Sequence, residues 1–228
     1  MEDNHFKKSE ETWNSIAESF DNTRRKPWKQ TSDFIDYLNK KDVVADLGCG
    51  NGRHLILCAK KCKYVVALDI SNNLIKIAEK KAKDKLNTFF VHGNCVYIPL
   101  INNIFDSILY IASLHNIKGR DNRIKSLIEL KRILKPGGKA LISVWSREQE
   151  RFKEFLNKDP KAYDEFGDID IYWRQNQLNI PRFYHLYSKK EFIEDINQSG
   201  LKVEKVIEAK IKSKNYVDNY FIIASKSL

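Results

Sequence analysis

The residues best placed to do chemistry lie in one short run, Asp46-Leu47-Gly48-Cys49-Gly50-Asn51-Gly52. It follows the apolar stretch Val43-Val44-Ala45 and opens a segment that reads as a helix to about Lys60. Glycines at such a turn let the backbone bend sharply and approach a ligand with no Cβ in the way. The spacing narrows the ligand. A dinucleotide site asks for Gly-x-Gly-x-x-Gly with a pyrophosphate at the helix start, and here Arg53 stands where the third Gly would be. A second apolar run, Tyr64 to Leu68, ends in Asp69, 17 residues after Gly52. One carboxylate has lone pairs for two donors, so Asp69 can accept both hydroxyls of a ribose. It also reads as a turn residue or helix cap ahead of Ser71.

Other groupings offer less. His54, Cys58 and Cys62 are four apart and would form one helical stripe. Cys62 should fall past the helix end, and structural zinc takes four ligands, so no metal site is expected. No Cys-His pair is placed for covalent catalysis. Lys76, Lys80, Lys81, Lys83 and Lys85 follow Ser71 and read as a solvated helix face.

The elements that must position these residues alternate between short apolar runs and helical periods, the pattern of βαβ units and a parallel sheet. Strands are expected at Val43–Ala45, Tyr64–Asp69, Thr88–Val91, Phe105–Ile111 and Ala140–Trp145, then near 201–207 and 217–225. Helices are expected from Ser71, over 121–134 and over 188–199, the second ended by Pro136-Gly137-Gly138. Residues 1–40 read as a prefix, helical from about residue 9 and interrupted at Pro27. Residues 147–187 break the alternation and read as a substrate lid inserted in one domain, 1–228.

The chain has 228 residues, a net charge of +10 and four cysteines. The charge points to a polyanionic partner. The sparse cysteines fit reduced thiols, hence a cytoplasmic protein. Met1 to Trp13 carries no apolar core of a secretory signal, and no run approaches the roughly 20 apolar residues of a membrane helix. Secreted and membrane-spanning classes are set aside.

The acid-Gly-x-Gly-x-Gly run resembles the first motif of the class I S-adenosylmethionine-dependent methyltransferases. The rest of the chain, from about Ile16 to Lys226, resembles one branch: the tRNA wobble-uridine carboxymethyl methyltransferases. That resemblance rests on Ile16-Ala17, Thr23-Arg24-Arg25-Lys26-Pro27-Trp28, Leu114-His115-Asn116, Val144-Trp145, Arg147-Glu148-Gln149, Arg182 to Tyr187, and Asp218-Asn219-Tyr220. It implies a Rossmann-like α/β fold with a seven-stranded mixed sheet in the order 3-2-1-4-5-7-6. The third strand is then an edge strand, and its apolar Thr88-Phe89-Phe90-Val91 invites an added strand; the family implies a small zinc-binding activator protein there.

The resemblance also assigns roles. S-adenosylmethionine is the cofactor, with Asp46 facing its ammonium, Gly48, Cys49, Gly50 and Gly52 lining the methionine and ribose, and Asp69 with Ile70 at the hydroxyls. Asn94 and Cys95 fall at the adenine, with Asn94 where the family usually has Asp. Ile111 either packs on the cofactor or is ordinary core. The family methylates the carboxylate of 5-carboxymethyluridine in the tRNA anticodon loop. For this step the catalytic candidates are Arg24, His115, Arg182 and His185, and the substrate-binding candidates are Arg25, Trp28, Trp145, Asp168, Trp173, Tyr184 and Asn219. Each has a structural alternative: a surface Arg, a satisfied buried His, a packed aromatic corner, a hairpin cap. The family often has a second His where Asn116 stands, and Asp170 and Tyr172 replace its usual lid residues. A methyltransferase of small molecules or proteins, or a non-catalytic cofactor-binding relative, is the alternative.

Overall fold

The computed structural model describes residues 2–152 and 164–228; residues 153–163 of the expected lid lie outside the described residues. Two helices come first, α1 (Glu2–Thr23) and α2 (Lys29–Asp36). The alternating part is β1 (Val43–Leu47), α3 (Leu55–Lys61), β2 (Tyr64–Asp69), α4 (Asn72–Lys81), β3 (Thr88–His92), β4 (Phe105–Ile111), α5 (Arg120–Ile133) and β5 (Leu134–Trp145). A two-stranded hairpin, β6 (Asp168–Trp173) and β7 (Ile180–His185), precedes α6 (Lys189–Gln198), β8 (Lys202–Ala209) and β9 (Asn219–Ser225).

One sheet holds seven strands in the order β3-β2-β1-β4-β5-β9-β8. The pairings from β3 to β5 are parallel, and β9 runs antiparallel to both β5 and β8. This is the expected order, with the lid hairpin counted as two extra strands. Strands β1, β2 and β4 are continuous apolar runs because helices cover both faces of a parallel sheet; Val44, Ala45, Leu47, Ile108, Leu109 and Tyr110 are fully buried. The two edges, β3 and β8, are only partly buried, and β8 carries Lys202, Glu204, Lys205 and Glu208 along it, a composition that blunts an edge.

Local chemistry sets the helix ends. The Ser71 side chain accepts the N–H of Leu74 at 3.1 Å and caps α4, and Ser188 with Glu191 forms a capping box on α6. The structure differs from the sequence expectation in two places. Helix α1 begins at Glu2, before the periodic apolar residues. Helix α5 passes straight into β5 at Leu134, so Pro136-Gly137-Gly138 lies within the strand and not in a separate turn. Both differences reflect packing: α1 docks along α4 through Asn14, whose side-chain oxygen takes Ser71 Oγ at 2.8 Å and the Asn73 N–H at 3.0 Å, and Leu134 pairs with Phe105.

An isolated two-stranded hairpin is marginal in water, so β6–β7 must be held by others. Ile169, Tyr184 and Leu186 pack with Phe152. The indole N–H of Trp173 donates to Ser19 Oγ at 2.8 Å, tying the hairpin to α1. Among the described residues, no helix is long and apolar enough to cross a membrane.

Candidate active site

A cavity of about 470 Å³ opens at the carboxyl ends of β1, β2 and β4, roofed by α1 and β7. That is where open α/β sheets bind ligands. Its floor is the glycine turn. Gly48 has φ +63°, and a Cβ there would lie 2.1 Å from Ser113 Oγ. Gly52 has φ +76°, and a Cβ would lie 2.9 Å from Ala78 Cβ. Both positions therefore exclude any side chain, by backbone conformation and by contact.

Asp69 closes the turn from the next strand. Its carboxylate accepts the Gly50 N–H at 2.8 Å and the Ser71 N–H at 2.8 Å. Asp69 also lines the cavity, and a carboxylate has lone pairs for further donors such as hydroxyls. Burial raises its pKa, and the backbone N–H bonds oppose that rise. Asp46 is fully buried, and its Oδ2 has no hydrogen-bond partner. Burial lifts it to about 7, with the Arg53 guanidinium pulling it down and the Asp69 charge pushing it up. A carboxylate with an orphaned oxygen in a glycine cradle, beside a ribose-type acceptor, is a donor set that fits the ammonium and ribose of S-adenosylmethionine.

The structure places Gly48, Cys49, Gly50, Asp69, Ile70, Asn94, Cys95 and Ile111 on the cavity wall. Asp46 and Gly52 stand behind that wall. Asn94 has its side-chain oxygen on the Val96 N–H at 2.9 Å, so one of its two acceptor positions serves its own turn.

The other part of the cavity is cationic and aromatic. Arg24 lies just past the end of α1, and its carbonyl takes Asn51 Nδ2 at 2.8 Å, which anchors it to the glycine turn. Its guanidinium lies 5.7 Å from the Trp173 ring. Arg182 lies 4.7 Å from the same ring and donates to Tyr184 Oη at 2.5 Å, while its Nε is buried without a partner. Burial lowers the pKa of Arg182, and Arg24 lowers it further. Among the described residues neither Arg24 nor Arg182 has a carboxylate partner.

His115 stands beside them on a 3₁₀ turn, Leu114–Asn116. Ala112, at φ +53°, turns the chain out of β4 to make it. Burial pushes His115 down to about 3, helped by His185 and Arg182. Its Nδ1 accepts the Trp145 N–H at 3.0 Å, so the neutral ring carries its proton on Nε2. Tyr184 stacks on Trp145 at 4.6 Å and on His115 at 5.3 Å. Trp28, Trp145, Asp168 and Tyr184 line the cavity with Arg24, His115 and Arg182.

Four further expected site residues lie off the wall. His185 is fully buried between Asp168 and Glu191, each at 2.7 Å. Trp173 backs the two arginines from behind. Asn219 is buried at the start of β9 with its Oδ1 unpaired, and Arg25 is exposed on the linker to α2. Several other arginines are paired with acids. Arg123 is fully buried against Glu165 at 2.6 Å, Arg120 pairs with Asp195 at 2.8 Å, and Arg147 pairs with Glu191.

Sequence reasoning passed over Trp13, Phe20 and Arg53 as site residues, all on the wall. Trp13 and Phe20 sit at i and i+7 on α1, one helical face, with Arg24 just past its end, and that spacing was the available signal. Arg151 lies 4.7 Å over the Trp145 ring, and only the fold brings it near Arg24 and Arg182.

The family model described as Methyltransferase domain matches residues 45–142. The chain is 35% identical over 140 residues to a mouse protein named tRNA (carboxymethyluridine(34)-5-O)-methyltransferase ALKBH8, covering 61% of this chain and 20% of that protein. It thus spans about a fifth of the length of that relative. A Schizosaccharomyces pombe protein with the same enzyme name is 28% identical over 240 residues, covering 95% of each chain. A methyltransferase-named protein of Encephalitozoon cuniculi is 30% identical over 188 residues, covering 82% of this chain and 83% of that one. Among solved structures, a SAM-dependent methyltransferase of Methanosarcina mazei superposes with a TM-score of 0.77 at 20% identity, covering 89% of this chain and 99% of that one. The methyltransferase complexed with the Trm112 methyltransferase activator of Haloferax volcanii gives a TM-score of 0.67 at 16% identity, covering 95% and 98%. With a glycine cradle that admits no side chain and a sheet in this order, the chain belongs to the class I S-adenosylmethionine-dependent methyltransferases.

Proposed function

We propose that the chain methyl-esterifies the carboxylate of 5-carboxymethyluridine at the wobble position of tRNA. One observation carries the reading. Arg24 and Arg182 both line the cofactor cavity and both lie within 5.7 Å of the Trp173 ring, half-buried to buried, without an acid partner among the described residues. Like charges gathered without a counter-ion call for an anionic ligand, and a planar guanidinium matches a carboxylate.

The bound cofactor supplies an electrophilic methyl group on a sulfonium. The acceptor carboxylate is ionised at neutral pH, with a pKa near 4 for comparable acids, so no general base is required. The chain's own task is alignment of the carboxylate oxygen at near-attack distance, about 3–3.5 Å. Arg24 and Arg182 hold the carboxylate, and the His115 Nε2–H donates to it without giving up a proton, because the ring stays neutral. Phe183, half-buried on the wall, offers a face for the uracil ring.

The outer edge of β3 supports a partner. Phe89 is 51% exposed there and meets Tyr64, 41% exposed, edge-to-face at 5.8 Å. A small zinc-binding activator adding a strand along Thr88–Val91 would cover both rings. The test incubates the protein, with and without such an activator, with labelled cofactor and total tRNA, then analyses the nucleosides. Label in a carboxymethyluridine ester is the expected result. Label only in protein or metabolites, or cofactor binding without transfer, refutes the assignment.

A further inference from the structure

The +10 net charge needs a location, and the arginines first suited to it are occupied. Arg120, Arg123 and Arg147 each neutralise an acid inside the fold. The unpaired cations lie elsewhere. Lys210, Lys212 and Lys214 are all exposed on the loop joining β8 to β9, and none forms an ion pair among the described residues. The nearby acid Glu208 is taken by Lys189 at 2.7 Å.

This loop is built to a fixed shape. Asp218 is 4% exposed, and its carboxylate accepts the N–H groups of Ile211, Lys212 and Ser213 at 2.5–2.8 Å and the Ser213 hydroxyl at 2.6 Å. The loop is also joined to the active site. The Asp218 carbonyl accepts Ser146 N and Gln149 Nε2, both at 2.9 Å. Asn219 lies opposite Trp145 in the β5–β9 register, and Trp145 lines the cavity. Arg151, bonded to Gln149 at 3.0 Å, feels the charges of Arg24, Arg182 and Asp218 together. On the neighbouring side Trp28 packs on Phe221 at 5.6 Å and brings the exposed Arg25 and Lys26 to the same end of the sheet.

We propose that the Asp218-pinned loop, through Lys210, Lys212 and Lys214, is a phosphate-contacting arm that holds the backbone of the RNA outside the cavity while its base is inside. The inference rests on the tRNA reading above. Like the loop lysines, Arg182 and Arg151 form no ion pair among the described residues, and Arg151 lies close enough to Asp218 to feel its charge. Such an arm contributes salt-dependent affinity without sequence information, because phosphate contacts position and base contacts specify. Asp218 acts through the loop as a positioning residue.

The test compares two triple variants of the full chain with equal charge loss. One is Lys210→Gln, Lys212→Gln, Lys214→Gln. The other is Lys76→Gln, Lys80→Gln, Lys83→Gln, on α4 and the turn that follows it. Affinity for total tRNA is read by filter binding between 50 and 300 mM salt, and cofactor affinity by calorimetry. The loop triple is expected to bind tRNA roughly tenfold or more weakly near 100 mM salt, with the slope of log K against log salt smaller by about 2 to 3. Its cofactor affinity stays at the wild-type value, and the α4 triple keeps the wild-type slope. Equal losses in both triples, or an unchanged loop triple, overturn the arm and leave the tRNA reading standing. Retained tRNA affinity with lost adsorption to phosphatidylserine vesicles assigns the loop to lipid instead and overturns it. Wild-type protein that neither binds nor methylates tRNA overturns both.

Discussion

The backbone N–H of Trp145 donates to Nδ1 of His115 across 3.0 Å, and the same two rings lie 5.4 Å apart. One residue thus fixes both the tautomer and the position of the other. With its pKa pushed down to about 3 by burial, His115 is a neutral donor through Nε2 at neutral pH.

It follows that kcat will show no ionisation limb near pH 6.5 belonging to His115. His115→Ala should lower kcat by about tenfold to a hundredfold, the worth of one hydrogen bond to a charged group, roughly 1.5–3 kcal/mol. Steady-state rates between pH 5.5 and 9 check this. A limb that disappears in the variant would mean the ring titrates during turnover.

Arg24 and Arg182, the two residues proposed to hold the substrate carboxylate, are anchored differently: Arg24 by its carbonyl to Asn51, Arg182 by Tyr184. Arg24→Ala should abolish turnover, or cut kcat/KM by at least about a hundredfold, and leave cofactor affinity close to the wild-type value. Arg182→Lys should rescue little, since an ammonium lacks the planar fork. Calorimetric cofactor titration alongside single-turnover assays separates the two effects. A collapse of cofactor affinity in Arg24→Ala would place that residue on the cofactor instead.

The glycine turn gives a sharper expectation. A methyl at position 48 would stand 2.1 Å from Ser113 Oγ and 2.5 Å from its Cβ, and φ +63° disfavours any L-residue. Gly48→Ala should lose measurable cofactor binding and several degrees of melting temperature. Cofactor-induced thermal shift is the readout, and a wild-type shift would show that the turn relaxes at little cost.

His185 contributes a pH-dependent stability. Burial lowers its pKa, but the Asp168 and Glu191 carboxylates outweigh burial and hold it above the usual value. A folded-state pKa above the unfolded one adds stability that is complete below about 6.5 and is lost as pH rises through the folded value. The melting temperature should therefore fall as the solution goes from pH 6 through 8, and His185→Gln should flatten that fall while lowering the plateau at pH 6. Scanning calorimetry across this range decides it.

Much of the fold was written locally. Parallel strands covered on both faces tend to be continuous apolar runs, so β2 and β4 were legible as Tyr64–Asp69 and Phe105–Ile111, and β1 through its apolar start Val43–Ala45. Ser71 and Ser188 marked helix starts through short-range bonds. The glycine turn was legible for the same reason: its geometry depends on residues within a few positions and on the missing Cβ atoms. Asp69 was legible because it ends the neighbouring strand.

The fate of each charged side chain depended on the tertiary structure. Arg123 and Arg182 look alike in the sequence. The fold brings Glu165 to Arg123 from 42 positions away and brings no acid to Arg182 among the described residues. His115 and His185 look alike too, yet one is held neutral by a backbone N–H and the other is held between two carboxylates. A charge is decided by its partners, and those partners come from distant elements that only long-range packing assembles. The sequence alone determined where the cofactor cradle is; the assembled sheet, helix α1 and the β6–β7 hairpin decided which cations remain free to meet an anion.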